Sequence, residues 1–208
     1  LMFEKLGIDT MNVLEAAKAK YNFQVHYPGA GVGGPCLPIN SYQLLNTARR
    51  TGVKLSIIES GRNINELMPD HVIQLTIDAF NECKKSLENS NILIMGISYK
   101  PNVKDIQLSP AKDIIKKFQN LGSIVHIYDP FFSSTEVFGL KVENDLENLL
   151  SKMDGVVIVT GHDDFKNIPI TSFTKLKNRI LIDTRGIIDP ICAKKENIIF
   201  RGLGRGNS

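Results

Sequence analysis

Asn91-Ile92-Leu93-Ile94-Met95-Gly96 is the stretch on which the fold turns. Four apolar residues in a row leave no polar face, so the segment reads as a strand buried on both sides and closed by a glycine. The same punctuation recurs downstream. Ser109 caps a helix with Pro110 at its first position, Ile114, Ile115 and Phe118 inward, and Gly122 at its end. Ile124 to Tyr128 forms the next strand, turned by Asp129-Pro130. A helix over Leu146 to Met153 precedes the strand Val156 to Val159. Ile180-Leu181-Ile182 follows, and Ile198-Ile199-Phe200 is the last candidate strand. Strands alternating with helices imply an α/β domain built on a doubly wound parallel sheet, spanning residues 89–208.

Residues 1–88 read differently. Leu1 to Leu6 is the end of a helix closed by Gly7, and Asp9 or Thr10 caps a second helix running to about Lys20 with Met11, Val13, Leu14 and Ala17 on one face. A third helix is expected from about Ser41 to Arg50. A long one follows from about Lys54 to Lys85, with a kink or break at Pro69. Asn89-Ser90 is a short polar link. The chain therefore divides into a helical part (1–88) and the α/β part (89–208).

Composition bounds the function. The 208 residues carry a net charge of +3, too small and too dispersed for a dedicated nucleic-acid binder. The three cysteines, Cys36, Cys83 and Cys192, form neither a disulfide framework nor a zinc pattern, and no metal site is expected. A reducing, cytoplasmic setting is the simplest expectation. No apolar run approaches the roughly 20 residues of a membrane span. Glu4, Lys5 and Asp9 argue against a signal peptide. A start at Leu1, inside a helical pattern, points to a fragment.

Gly29-Ala30-Gly31-Val32-Gly33-Gly34 matches the GxGxxG dinucleotide pattern. That fingerprint should follow a strand and open a helix. Here Tyr27-Pro28 precedes it and Pro35-Cys36-Leu37-Pro38 follows, so the pattern is set aside. A glycine run also lets a backbone lie close against a ligand, and a cysteine placed directly after it is presented at that surface. A lone cysteine is most often a small buried hydrophobe. For Cys83 and Cys192 that reading is kept, whereas for Cys36 the loop favours a nucleophile, which would need positive charge nearby. The loop after the first strand offers Gly96 alone instead of a phosphate-binding run, but Lys100 stands where an anion would bind at the carboxyl edge of the sheet. His26 reads as an unpartnered loop histidine. His162-Asp163-Asp164 reads as a solvated turn, and the segment Arg201 to Arg205 as a fraying basic tail.

Gly31 to Pro38 resembles the active-site cysteine segment of the UDP-glucose/GDP-mannose dehydrogenase family, in particular its UDP-N-acetylmannosamine and UDP-N-acetylglucosamine branch. Asn65-Glu66-Leu67-Met68-Pro69 is similar to the family's central-helix motif. Gly96 to Asn102, with Asp105 and Ser109-Pro110, is similar to the opening of its C-terminal domain. Tyr128-Asp129-Pro130 and Asp183-Thr184-Arg185 agree in order and spacing. The resemblance implies a helical dimerisation segment followed by a Rossmann-like, UDP-sugar-binding domain. It implies oxidation of a sugar C6 alcohol to a carboxylate, with Cys36 forming a thiohemiacetal and then a thioester while two NAD per turnover accept hydride. Lys100 and Arg185 would contact the nucleotide sugar, and Tyr27, Gly31, Gly33 and Gly34 would shape its pocket. The long helix would pair two copies as a homodimer.

Two positions depart from the family pattern. Asn40 stands where an aspartate assists the cysteine; it can hydrogen-bond but cannot serve as a base, and it doubles as a helix N-cap. Gln107 replaces an arginine that reaches the cofactor. The family's N-terminal NAD domain is not among these residues, so the chain alone is expected to be inactive. The competing expectation is a nucleotide-sugar-binding and dimerisation module without chemistry.

Overall fold

The structure, a computed structural model, describes residues 1–206. Seven strands form one sheet: β1 (Asn91–Met95), β2 (Ile124–Tyr128), β3 (Glu136–Val137), β4 (Leu140–Glu143), β5 (Gly155–Ile158), β6 (Ile180–Asp183) and β7 (Ile199–Gly202). Their order is β3-β4-β2-β1-β5-β6-β7, parallel throughout except for the β3–β4 hairpin. The chain moves outward from β1 to β2 on one side and from β5 to β7 on the other, so the topological switch falls between β1 and β5.

The apolar run of β1 is explained by its two faces. Ile92 and Ile94 join one core with Val157, Ile180 and Ile182, while Leu93 and Met95 join the other with Val156, Ile158 and Leu181. Successive side chains on a strand point to opposite faces, and here both faces are covered. On the first face lie α4 (Ser56–Glu82) and α5 (Pro110–Asn120), contributing Val72, Phe80, Ile114 and Phe118. On the second lie α6 (Leu146–Leu150), α7 (Asp163–Lys166), a 3-10 turn over Ile170–Lys175, and α8 (Pro190–Lys195). Ser109 accepts from Ala111 N–H to cap α5, and Asp189 caps α8 in the same way.

The helical part comprises α1 (Met2–Leu6), α2 (Thr10–Lys18), α3 (Leu37–Arg50) and the front half of α4. Its architecture changes to α/β between Glu82 and Asn91, yet the packing is continuous, because the rear half of α4 belongs to the core of the sheet. Three differences from the sequence expectations have clear causes. First, α4 runs unbroken through Pro69. The missing N–H frees the carbonyl of Asn65 from the helix ladder, and that carbonyl lies beside Gly31. Second, α3 begins at Leu37 instead of Ser41, because Pro38 occupies the first turn, where no intrahelical N–H is needed. Asn40 is therefore inside the helix and Cys36 is its N-cap. Third, the β3–β4 hairpin was not legible: its turn is Phe138-Gly139, both at positive φ as a two-residue hairpin requires, without the Asn-Gly signature.

The segment expected to fray is instead a strap. Gly204 accepts from Thr10 N–H at 2.9 Å and donates to Glu4 Oε1 at 2.6 Å, and Glu4 Oε2 pairs with His71 Nε2 of α4 at 2.8 Å. The Arg205 side chain, 6% exposed, donates to the carbonyls of Ile188 and Gly186. Cys83, at the end of α4, and Cys192, in α8, are half-buried instead of fully buried as expected. No helix among the described residues is long and apolar enough to cross a membrane.

Phe118 is fully buried between α5 and the sheet. Replacing it with alanine removes the ring and leaves a cavity, and is expected to lower unfolding free energy by about 3–5 kcal/mol. Urea unfolding followed by circular dichroism checks this; a loss below about 1 kcal/mol would contradict the packing described.

Candidate functional site

The glycine segment docks on the carboxyl edge of the sheet. Gly34 N–H donates to the Gln107 carbonyl at 2.8 Å. A Cβ on Gly33 would stand 2.2 Å from the Leu108 carbonyl oxygen, and one on Gly34, at φ +88°, would stand 2.7 Å from the Tyr99 ring. A Cβ on Gly29 would overlap the Arg185 guanidinium at 2.0 Å. These glycines are required for close approach to protein, not to open space. Asn65 of α4 secures the other side: its Oδ1 accepts from Val32 N–H at 2.7 Å and its Nδ2 donates to the Val32 carbonyl at 3.4 Å.

Of the residues singled out from sequence, the structure brings Gly31, Gly33, Gly34, Gln107 and Arg185 into one contact region through Tyr99, Leu108, Pro110 and Gly29. Cys36 follows directly, exposed at the N-terminus of the 14-residue α3, where negative charge is favoured. Asn40 is exposed one turn along, its N–H donating to the Cys36 carbonyl at 2.9 Å. The N-cap role expected for Asn40 thus belongs to Cys36. Lys100 is exposed on the loop after β1, its Nζ 5.5 Å from the centre of the Tyr99 ring. Tyr27 is half exposed at the entrance to the glycine segment. A cleft of ≈ 330 Å³ opens beside Gly31 and Val32, where Arg62 stacks over Tyr42 at 5.2 Å. A larger groove, ≈ 1060 Å³, lies between α1, α4, α8 and β7 and shares no lining residue with the glycine segment.

Two buried aspartates build the strand ends around this region. Asp183, at the end of β6, accepts from the N–H groups of Arg185, Gly186 and Ile188 at 2.8–2.9 Å. Burial pushes its carboxyl up against the opposing effect of those bonds. Burial also draws the Arg185 guanidinium below its ordinary value, with Asp183 opposing. Asp129, after β2, is desolvated too, but hydrogen bonds from His162 and from the N–H groups of Ile97 and Phe131 outweigh burial and hold its carboxyl low. His162 is therefore not the solvated turn expected: it is fully buried, with Nε2 3.0 Å from Asp129 Oδ2. The chain signalled none of this beyond polar residues at strand ends. Among the described residues no group of three His, Cys, Asp or Glu side chains is placed to hold a metal.

The turn after β1 lacks the strand-to-helix arrangement of a dinucleotide fingerprint. No helix starts directly after β1; the next begins at Pro110. A Cβ on Gly96 would lie 2.5 Å from the Thr160 carbonyl, so glycine is required where this turn packs on the end of β5. Lys100 after β1 and Arg185 after β6 nonetheless present cations on this edge.

The class these features define is architectural: a doubly wound α/β domain with basic residues on its carboxyl edge, where ligands of such sheets bind, and a cysteine-bearing helical segment docked there. Two family models then match in chain order: the central domain of the UDP-glucose/GDP-mannose dehydrogenase family over residues 1–67, and that family's UDP binding domain over residues 93–190. The chain belongs to this family. It is 31% identical to the UDP-N-acetyl-D-mannosamine dehydrogenase of Pyrococcus horikoshii, over 100% of this chain and 47% of that protein. It is 28% identical to the UDP-N-acetyl-D-glucosamine 6-dehydrogenase of Pseudomonas aeruginosa, over 91% of this chain and 45% of that one. The solved Pyrococcus horikoshii UDP-D-ManNAc dehydrogenase superposes with a TM-score of 0.87 at 30% identity, over 99% of this chain and 46% of that chain. The chain thus spans about half the length of the curated relatives it matches.

Gly33→Ala is expected to destabilise the chain by about 1–3 kcal/mol, because the methyl group meets backbone that must shift. Gly61→Ala, on α4 with open space around it, should raise stability by about 0.4–1 kcal/mol. Denaturant midpoints compare the two; equal effects would show that the glycine segment is not closely docked.

Proposed function

We propose that this chain is the cysteine-bearing and nucleotide-sugar-binding part of an NAD-dependent UDP-sugar 6-dehydrogenase. The observation that carries the proposal is the docking of the glycine segment, with Cys36 immediately after it, on the edge that presents Lys100 and Arg185. Lys100 and Arg185 both fall within the stretch matched by the UDP binding domain. In this reading they face the diphosphate, with charge-assisted bonds supplying affinity. Tyr27 and the glycine segment border the sugar. Cys36 adds to the C6 aldehyde as a thiohemiacetal, retains the oxidised carbon as a thioester, and is freed by water. Asn40 offers the cysteine a hydrogen-bonding neighbour, not a base. NAD would supply hydride acceptance, with the exposed Gln107 at the edge as its one contact in this reading. A reducing, cytoplasmic setting would keep all three thiols free.

The proposal extends to self-association. Leu37, Leu44, Ile57, Ile64 and Leu67 of α3 and α4 are half exposed or more, Ile57 at 89%. A second copy pairing along the long helix would cover them. Sedimentation of the wild type should show a dimer, and Leu67→Asp should shift it to monomer; a wild type that stays monomeric at all concentrations removes this part.

Calorimetric titration with UDP, UDP-N-acetylglucosamine, UDP-N-acetylmannosamine and NAD tests the main reading. The uridine compounds should bind, and NAD should not. Lys100→Ala and Arg185→Ala should each weaken UDP binding by about tenfold. The chain alone should give no sustained NADH production. Binding of NAD without any response to UDP would overturn the reading.

A further inference from the structure

We propose that His162 is a positioning residue that fixes the 97–108 loop and, through it, the seat of the glycine segment leading to Cys36. The inference rests on the reading above only for its consequence on UDP binding; the geometry stands by itself. Both side chains of the His162–Asp129 pair are fully buried, so His162 cannot touch a substrate, and it acts through its neighbours. Its ring packs against Phe131 and Phe165, with ring centres 5.0 and 5.2 Å away.

The two nitrogens have fixed roles. Asn102 N–H points at Nδ1 from 3.0 Å. A peptide N–H only donates, so Nδ1 is the acceptor and the proton sits on Nε2. That proton is directed at Asp129 Oδ2, which also accepts from Ile97 N–H at 2.8 Å and Ser98 N–H at 3.3 Å. Asp129 therefore holds the start of the loop while His162 holds its far side at Asn102. Asn102 sits at φ +59°, a left-handed conformation that asparagine tolerates, and its amide exchanges two hydrogen bonds with Asp163. Ser98 Oγ donates to the Val103 carbonyl, and Tyr99 N–H to that of Asp105.

Between and beyond these anchors come the residues that receive the glycine segment: the Tyr99 ring, the Gln107 carbonyl and the Leu108 carbonyl. None of these contacts includes His162. Loosening His162 should therefore loosen Gly33 and Gly34 without touching them, a transmission that a residue serving only the stability of its own strand end would not produce.

Hydrogen exchange of the whole chain, with calorimetry for UDP, tests this. His162→Gln places a donor near Nε2 but offers no acceptor at Nδ1. Amides 97–108 and those of Gly33 and Gly34 should exchange about tenfold faster, while Ile92 to Met95 and Val157 keep their protection. His162→Asn restores an acceptor near Nδ1 and should recover protection at Asn102. UDP binding should weaken in the first variant and partly return in the second. Exchange confined to residues 160–166, or a loss of protection across the strands in both variants, would overturn the proposal. So would nitrogen chemical shifts showing the His162 proton on Nδ1 in the wild type. The two readings fail separately. A wild type that ignores UDP, with loops that still loosen in His162→Gln, removes the ligand assignment and keeps the positioning role. UDP binding by a variant whose loops stay closed does the reverse.

Discussion

Burial of β1, β5 and β6 on both faces is the constraint from which the rest follows. A strand covered on both sides must be apolar along its length, so these strands have no room for chemistry. Polar function is pushed to the strand ends, where the ladder stops and backbone N–H groups need new acceptors. Asp129 and Asp183 meet that need from inside the protein. Each takes several N–H groups of the loop that leaves or flanks its strand, and each thereby fixes the path of a loop bearing a cation, Lys100 in one case and Arg185 in the other.

The two aspartates differ in what balances their burial. Asp129 has a histidine partner in addition to peptide N–H groups, and its carboxylate is held ionised. Asp183 relies on peptide N–H groups, with Arg205 at longer range, and desolvation prevails. One strand end is thus set by a charge-assisted bond and the other by a cage of neutral donors. The Glu4–His71 contact and the strap from Gly202 to Gly206 tie the first helix to the last strand, and the strap lies on the same carboxyl edge, where Arg205 donates to the carbonyls of Gly186 and Ile188. The rear half of α4 packs in the core of the sheet, while its front half belongs to the helical part.

Glycine use follows the same logic. The segment Gly29 to Gly34 carries a dinucleotide-like spacing but serves close contact between two parts of the chain: Arg185 over Gly29, Leu108 against Gly33 and Tyr99 against Gly34. Removing side chains there lets a cysteine-bearing helix start within reach of the sheet edge. The side-chain amide of Asn65 completes the clamp by bonding both backbone groups of Val32.

Much of the fold was legible because it depends on local pattern. The apolar runs at 92–95, 156–158 and 180–182, the Ser109-Pro110 cap and the glycine closures state strands and helices without reference to anything distant. The motif around Cys36 was legible as a cysteine presented by glycines. Legibility ended where partners are far apart in sequence. Whether Gly34 meets the Gln107 carbonyl, and whether His162 faces water or Asp129, depend on neighbours tens of residues away. A histidine between a glycine and two aspartates looks solvated in one dimension, because burial belongs to the three-dimensional packing. The sequence by itself determined the apolar strands β1, β2, β5, β6 and β7, though not the β3–β4 hairpin, and which residues have the chemistry for a site. Only the tertiary structure decided which of them meet, because hydrogen bonds and close contacts are set by distance in space, not by order along the chain.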